Sequence, residues 1–168
     1  MKITILYFSE TGHTEKMAGI VREGILEADK SIEVSLMNII NEENIDKDFI
    51  NESSAVIFGT PCYMANMCWQ MKKFFDTSFD CKLGGKLAAC FATAGHMWGG
   101  ADLAMLTVLQ HSMTRGMLAY SSGMEFGRPY IHIGPFALMS DPDKDSETFK
   151  LFGNRVAKKS IELFSKQD

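Results

Sequence analysis

The chain has 168 residues, 46% of them apolar and 23% charged, with a net charge of −4. That size and balance fit one globular domain over residues 1–168 with a substantial core, and a net negative chain is a poor match for nucleic acid. No apolar run reaches the length of a membrane span. The four cysteines (Cys62, Cys68, Cys81 and Cys90) show neither a C-x-x-C pair nor metal spacing with histidine. They are read as reduced thiols of a cytoplasmic protein without a metal site.

Met1 to Ser9 is an apolar run that reads as a first strand, buried on both faces if the sheet is parallel. No small-residue cleavage site follows it, so it is not read as a leader. His13 to about Glu27 has helical spacing, with Met17, Ile20, Val21 and Ile25 on one side. Ile32 to Met37 alternates and predicts a second strand near a sheet edge. Asn38 to Ser53 is a polar connection with one short helix. Ala55 to Gly59 is a short third strand, followed by a loop from Thr60 to Asn66 that Pro61 punctuates. Met67 to Asp76 has one apolar helical face. Leu83-Gly84-Gly85 is a turn, Lys86 to Thr93 a fourth strand, and Ala94 to Gly100 a third loop. Ala101 to Arg115 is helical and stops at Gly116, a suitable C′ residue. Met117 to Tyr120 opens a fifth strand. Gly127 to Tyr130 is a turn, Tyr130 to Ile133 is expected to pair at the sheet, and Ser146 to Lys166 is a final amphipathic helix.

Strands alternating with helices predict an α/β fold, a doubly wound five-stranded parallel sheet of order 2-1-3-4-5 with helices on both faces. Ligands of such sheets sit beyond the carboxyl ends of the strands. Three loops lie there. The first, Ser9-Glu10-Thr11-Gly12-His13-Thr14, joins a strand to a helix start, where free N–H groups and the helix dipole favour an anion. Ser9, Thr11 and Thr14 add hydroxyls, and Gly12 allows close approach. The loop has neither G-x-G-x-x-G nor a P-loop lysine, which suits a monophosphate better than a dinucleotide or triphosphate. The second loop offers Thr60, Pro61, Cys62, Tyr63, Met64 and Asn66. The third offers Thr93, Ala94, Gly95, His96, Trp98 and Gly99.

Several stretches carry a family resemblance: Tyr7-Phe8-Ser9 with Gly12-His13-Thr14-Glu15, Ile57-Phe58-Gly59-Thr60-Pro61, Asn66-Met67 with Gln70-Met71, Gly85-Lys86-Leu87-Ala88, Gly116-Met117, and Gly127 with Pro129-Tyr130. They run in order over most of the chain. The chain resembles the flavodoxin superfamily, and within it the WrbA-type NAD(P)H:quinone oxidoreductases. The resemblance implies FMN, with its phosphate on residues 9–14 and its ring between the second and third loops. It also implies NAD(P)H as donor, a quinone-like acceptor and a homo-oligomer, dimer or tetramer. Three features depart from the WrbA pattern. The third loop carries His96, Met97 and Trp98 in place of glycines. Thr114-Arg115 stands where that family has a histidine pair. A tryptophan segment is missing around Cys81 to Gly85.

Tyr63, Met64, Met97 and Trp98 are candidates to stack on a flat ring, whereas Met105, Met113 and Met117 are read as core. His96 is the candidate catalytic residue, able to hydrogen-bond the flavin or a reduced substrate. His132 is read as structural, and His111 as lying on a helix surface or subunit interface. Cys62 could meet the ring edge but has no basic partner to make it a nucleophile. Neither Gly59–Phe75 nor Lys82–Ala101 contains a carboxylate. That neutral surround favours two-electron reduction and an enzyme over a low-potential carrier; the resemblance implies that it takes hydride from NAD(P)H. The alternative is an electron-transfer flavodoxin, which predicts an acidic rim around the ring.

Overall fold

The computed structural model describes residues 1–124 and 126–165. The chain order is β1 (Lys2–Tyr7), α1 (His13–Ala28), β2 (Glu33–Asn38), α2 (Lys47–Glu52), β3 (Ala55–Tyr63), β4 (Asn66–Met67), α3 (Trp69–Thr77), β5 (Leu87–Ala94), α4 (Ala101–Thr114), β6 (Leu118–Ala119), β7 (Phe136–Leu138) and α5 (Ser146–Phe164). The main sheet runs β2-β1-β3-β5-β6, and every pair along that path is parallel. With the hairpin strand β4 set aside, this is the 2-1-3-4-5 order of a doubly wound sheet.

Period-two alternation along β1 divides the core. Ile3, Ile5 and Tyr7 face one layer with Met17, Val21, Phe149 and Phe152 from α1 and α5. Leu6 and Phe8 face the other, with Phe58, Met71, Phe74, Phe75 and Met105. Each such buried side chain contributes roughly 1.5–3 kcal/mol over an exposed one. The α1–α5 contact is close enough to need glycine on both helices. A Cβ on Gly24 would lie 1.8 Å from the Lys150 carbonyl oxygen, and one on Gly153 would lie 2.1 Å from that of Val21.

The structure corrects several expectations. The third strand does not stop at Gly59 but continues through Thr60 and Pro61 to Tyr63. Proline is tolerated because β1 pairs only as far as Gly59, whose carbonyl takes the N–H of Phe8. Pro61 points to that same side, beyond the end of β1, so no ladder donor is lost. The expected loop is therefore a hairpin, Tyr63 pairing with Asn66 across Met64 and Ala65. Helix α3 begins two residues later than predicted, because Met67 belongs to β4. The fifth strand is split. β6 pairs with Leu87 and Ala88, β7 with Ala92 to Ala94, and residues 120–135 are inserted between them. Tyr130 to Ile133 does not join the main sheet; Ile131 bridges Gly123 instead. Met113 is exposed rather than core, and His132 is exposed. Met105 and Met117 are buried. The predicted last helix ends at Phe164, and its Lys166 lies outside the described residues. No helix among the described residues is long and apolar enough to cross a membrane.

Candidate functional site

The carboxyl ends of β1, β3 and β5 bring residues 9–14, 60–66 and 93–100 together, as the sheet order requires. Three contacts tie them. Thr14 and Thr93 share a buried hydroxyl–hydroxyl hydrogen bond of 2.8 Å. The Cys62 thiol donates to the Gly99 carbonyl at 3.2 Å. Gly100, at φ +83°, sits so close to Ala65 that an added Cβ would lie 2.6 Å from the alanine methyl.

The first loop is built to hold an anion. Gly12 stands at the N-cap of α1 with φ 87°, and no side chain caps the helix. Among the described residues the N–H groups of Thr11, Gly12, His13 and Thr14 have no acceptor within the protein. A Cβ on Gly12 would meet nothing within 4 Å, so its surroundings are open. The Ser9 hydroxyl accepts from the Glu15 N–H at 3.2 Å and keeps its own proton to donate. Thr11 and Glu10 are exposed, while Thr14 is turned inward to Thr93. The loop is fixed from β2 by Asn38. Its amide accepts from the Ser9 N–H at 3.1 Å and donates to the Ser9 carbonyl at 2.8 Å. Asn38 was not singled out in the sequence. The signal was a polar residue ending the strand that pairs with β1. Below the loop, the Tyr7 hydroxyl donates to Glu15 at 3.2 Å, and burial beside that carboxylate pushes the phenol up to about 12.

The second loop divides its residues between frame and surface. Thr60 is fully buried; its hydroxyl accepts from the Cys68 N–H at 3.1 Å and donates to the Pro61 carbonyl at 2.9 Å. Pro61 is buried and Cys62 half-buried, and burial raises the Cys62 thiol, which removes nucleophilic character. Asn66 uses its side-chain oxygen on the Met67 N–H. Met64 is 100% exposed and Tyr63 47% exposed. Burial first, and then the nearby Glu10 carboxylate, raise the Tyr63 phenol, which puts Glu10 on the same rim.

In the third loop Thr93 and Ala94 are buried, whereas Gly95, His96, Met97 and Trp98 are exposed, Trp98 at 95%. The Gly99 N–H closes the turn on the His96 carbonyl at 3.0 Å. Among the described residues the His96 ring has no hydrogen-bond partner. A core role for Met64, Met97 and Trp98 is thereby removed. They stand as uncovered apolar walls around a crevice whose floor can take an anion.

Of the other residues, His111 packs on the Phe75 ring at 5.5 Å. Arg115, at the position of the missing histidine pair, donates to the carbonyls of Phe75, Ser78 and Cys81, a structural use of the side chain. Arg128 lies over the Tyr130 ring.

A doubly wound sheet with a lysine-free anion loop and open apolar walls defines a class of proteins that seat a flat, phosphorylated group at the switch point between β1 and β3. The sequence pattern of the Flavodoxin family matches residues 5–108. A flavodoxin of Clostridium saccharobutylicum is 44% identical over 164 residues, 98% of this chain and all of the relative. The chain belongs to the flavodoxin family. The WrbA-like side of that family is more distant. The crystal structure of the WrbA-like flavodoxin from Agrobacterium tumefaciens has a TM-score of 0.76 at 27% identity, covering 96% of this chain and 98% of that one. An NAD(P)H dehydrogenase (quinone) of Geotalea daltonii is 29% identical, over 72% of this chain and 73% of the relative.

The family implies FMN, and the crevice fits it. Free N–H groups and the Ser9 and Thr11 hydroxyls suit a phosphate. Tyr63, Met64 and Trp98 suit a flat ring.

Proposed function

We propose that this chain is an electron-transferring flavodoxin, a single FMN-binding domain over residues 1–168 that works in the cytoplasm, where its four free thiols stay reduced. One observation carries the reading: the crevice has an apolar, exposed centre and an acidic rim. Met64 and Trp98 form the centre. Exposed Glu10, Glu43, Asp102 and Asp141 lie on segments that emerge at the same end of the sheet, where Glu42 and Asp143 are paired with Lys73 and Lys16. Lys16 and Lys144 are the cations of the neighbouring stretches 10–16 and 141–145. The uncharged loops seen in the sequence are real, but the rim is assembled from other elements.

The N–H groups of residues 11–14, with Ser9 and Thr11, would hold the phosphate. Tyr63, Met64, Met97, Trp98, Asn66, Gly95 and Gly99 would border the ring. FMN, when bound, supplies one- and two-electron transfer. The protein fixes its position, leaves an edge accessible to a macromolecule, and steers a basic partner through the rim.

A second reading is the NAD(P)H-dependent oxidoreductase with a quinone-like acceptor, in which His96 hydrogen-bonds the flavin or substrate. It is favoured by the absence of carboxylates in the 60–66 and 95–100 loops and by the dehydrogenase relatives.

Anaerobic mixing of FMN-loaded protein with NADH and with NADPH separates the two. The carrier reading expects no loss of flavin absorbance with either nucleotide. It also expects dithionite-reduced protein to reduce cytochrome c, a basic probe, at a rate that falls between about 0.01 and about 0.3 M salt. Rapid bleaching by one nucleotide, followed by turnover of a quinone and its loss in His96→Ala, would establish the second reading instead.

A further inference from the structure

Strand β2 ends at Asn38, opposite Tyr7, and the ladder between β1 and β2 closes with the Ile39 N–H on the Tyr7 carbonyl at 2.8 Å. The next donor facing β2, the Ser9 N–H, meets a side chain where a longer strand would offer a backbone carbonyl. The Asn38 Oδ1 accepts from the Ser9 N–H at 3.1 Å and from the Ile40 N–H at 3.2 Å, and its Nδ2 donates to the Ser9 carbonyl at 2.8 Å. The bond to Ile40 is an Asx turn, which ends the strand. Together the three bonds fix which way the amide points, because the reversed amide would set its own NH2 group against two N–H donors.

Ser9 is the entry to the anion loop. It is 6% exposed, and its hydroxyl accepts from the Glu15 N–H at 3.2 Å. Among the described residues the backbones of Glu10 and Thr11 make no hydrogen bond to the protein. Contact resumes at Gly12, whose carbonyl accepts from the Lys16 N–H at 2.9 Å. The course of the loop is therefore set at its two ends. At one end helix α1 holds it, and at the other the Asn38 amide holds both backbone groups of Ser9.

We propose that Asn38 is the positioning residue of the phosphate site, and this rests on the reading of residues 9–14 as the place of the FMN phosphate. By holding Ser9 it aims the Ser9 hydroxyl and the N–H groups of residues 11–14 at one point. Both polar atoms of its amide are already engaged by the protein, so it acts through Ser9. Donors ordered in advance hold an anion more tightly than donors that must be ordered on binding. The effect is confined to the phosphate end of the cofactor. The ring walls Tyr63, Met64 and Trp98 stand on the second and third loops, which are tied to each other through Cys62 and Gly99.

Flavin-fluorescence titration of the full chain with FMN and, separately, with riboflavin tests this, because riboflavin has the same ring without the phosphate. Asn38→Leu removes all three bonds. Asn38→Ser keeps a hydroxyl for the Ile40 N–H, and with it the turn, but cannot span both groups of Ser9. In each variant FMN affinity should fall at least about tenfold, while riboflavin affinity stays within about twofold of the wild-type value. A change in folding alone would not move the ratio of the two affinities. Equal losses for both flavins, or an unchanged FMN affinity in Asn38→Ser, would overturn the proposal. A wild-type chain that binds riboflavin as tightly as FMN would overturn the phosphate reading of residues 9–14, and the role of Asn38 with it.

Discussion

The crevice loops and the insertion at residues 120–135 are both irregular, yet they are held in different ways. The crevice is fastened by several small contacts: Thr14 to Thr93, Cys62 to Gly99, Asn38 to Ser9, and Ala65 against Gly100. The insertion is gathered mainly by one side chain from the last helix, alongside the Gly123–Ile131 bridge. Arg155, 7% exposed, donates to the Ser122 hydroxyl and to the carbonyls of Phe126, Gly127 and Pro129. Ser122 is itself left-handed, at φ 70°. Many weak ties give a shape that survives the loss of any one of them. A single guanidinium serving four acceptors concentrates much of the insertion's fastening in one side chain.

The sharpest break in this comparison is Arg155→Met. It removes four hydrogen bonds, one to the buried Ser122 hydroxyl and three to part-buried carbonyls, at about 1 kcal/mol each. A loss of about 3–5 kcal/mol is expected in urea unfolding, with FMN affinity of the surviving folded fraction nearly unchanged. Arg155→Lys should recover little, because an ammonium cannot span a fork of acceptors. The next effect is Gly100→Ala. A methyl at a positive φ costs about 1–2 kcal/mol, and this one also meets Ala65. The second and third loops must part, so FMN fluorescence titration should show at least about tenfold weaker binding with a loss of only about 2–3 kcal/mol in stability. Equal damage to folding and FMN binding in both variants would erase the distinction between the two regions.

The same contrast explains what could be read from the sequence. The sheet order and the three loops followed from apolar runs separated by helical periods. Each loop's position is fixed by the strand it ends. Ser9 to Thr14 announced itself by residue type. The split of the fifth strand did not, because Tyr130 to Ile133 is as apolar as a strand, and only long-range contacts with Arg155 and Gly123 keep it out of the main sheet. Thr60 has a loop-like composition around it, yet it is buried, because the register with β5 continues past the end of β1. The acidic rim was invisible for a related reason. Its residues come from the ends of β2 and β7 and the starts of α1 and α4, and the ring loops themselves carry no carboxylate. Arg115 looked like a departure from the WrbA pattern; it serves as a clamp for the connection between α3 and β5.

Two smaller substitutions sharpen the picture of the crevice. Thr14→Val leaves the buried Thr93 hydroxyl without its partner and should cost about 1–2 kcal/mol in urea unfolding. FMN binding should weaken only a few-fold, because the Thr14 N–H, not its hydroxyl, faces the anion site.

The smallest effect expected is that of Ala65→Gly. Met64 and Ala65 form a two-residue hairpin turn with φ 51° and 58°, a conformation that ordinarily calls for Asn-Gly. Glycine at position 65 relieves the left-handed strain, worth about 1–2 kcal/mol, and returns about 0.5–1 kcal/mol through the greater freedom of the unfolded chain. A net gain of about 0.5 kcal/mol in thermal unfolding is expected. The pair with Gly100→Ala is more informative than either change alone. The alanine methyl at 65 is the first atom a new methyl at 100 would meet, at 2.6 Å, and the Ala65 Cα follows at 2.9 Å. Removing the first contact but not the second should return about 1 kcal/mol of the Gly100→Ala loss, with part of the FMN affinity. Strict additivity in this double-mutant cycle would mean that the second and third loops are not coupled through Ala65. The crevice would then be held by its hydrogen bonds alone.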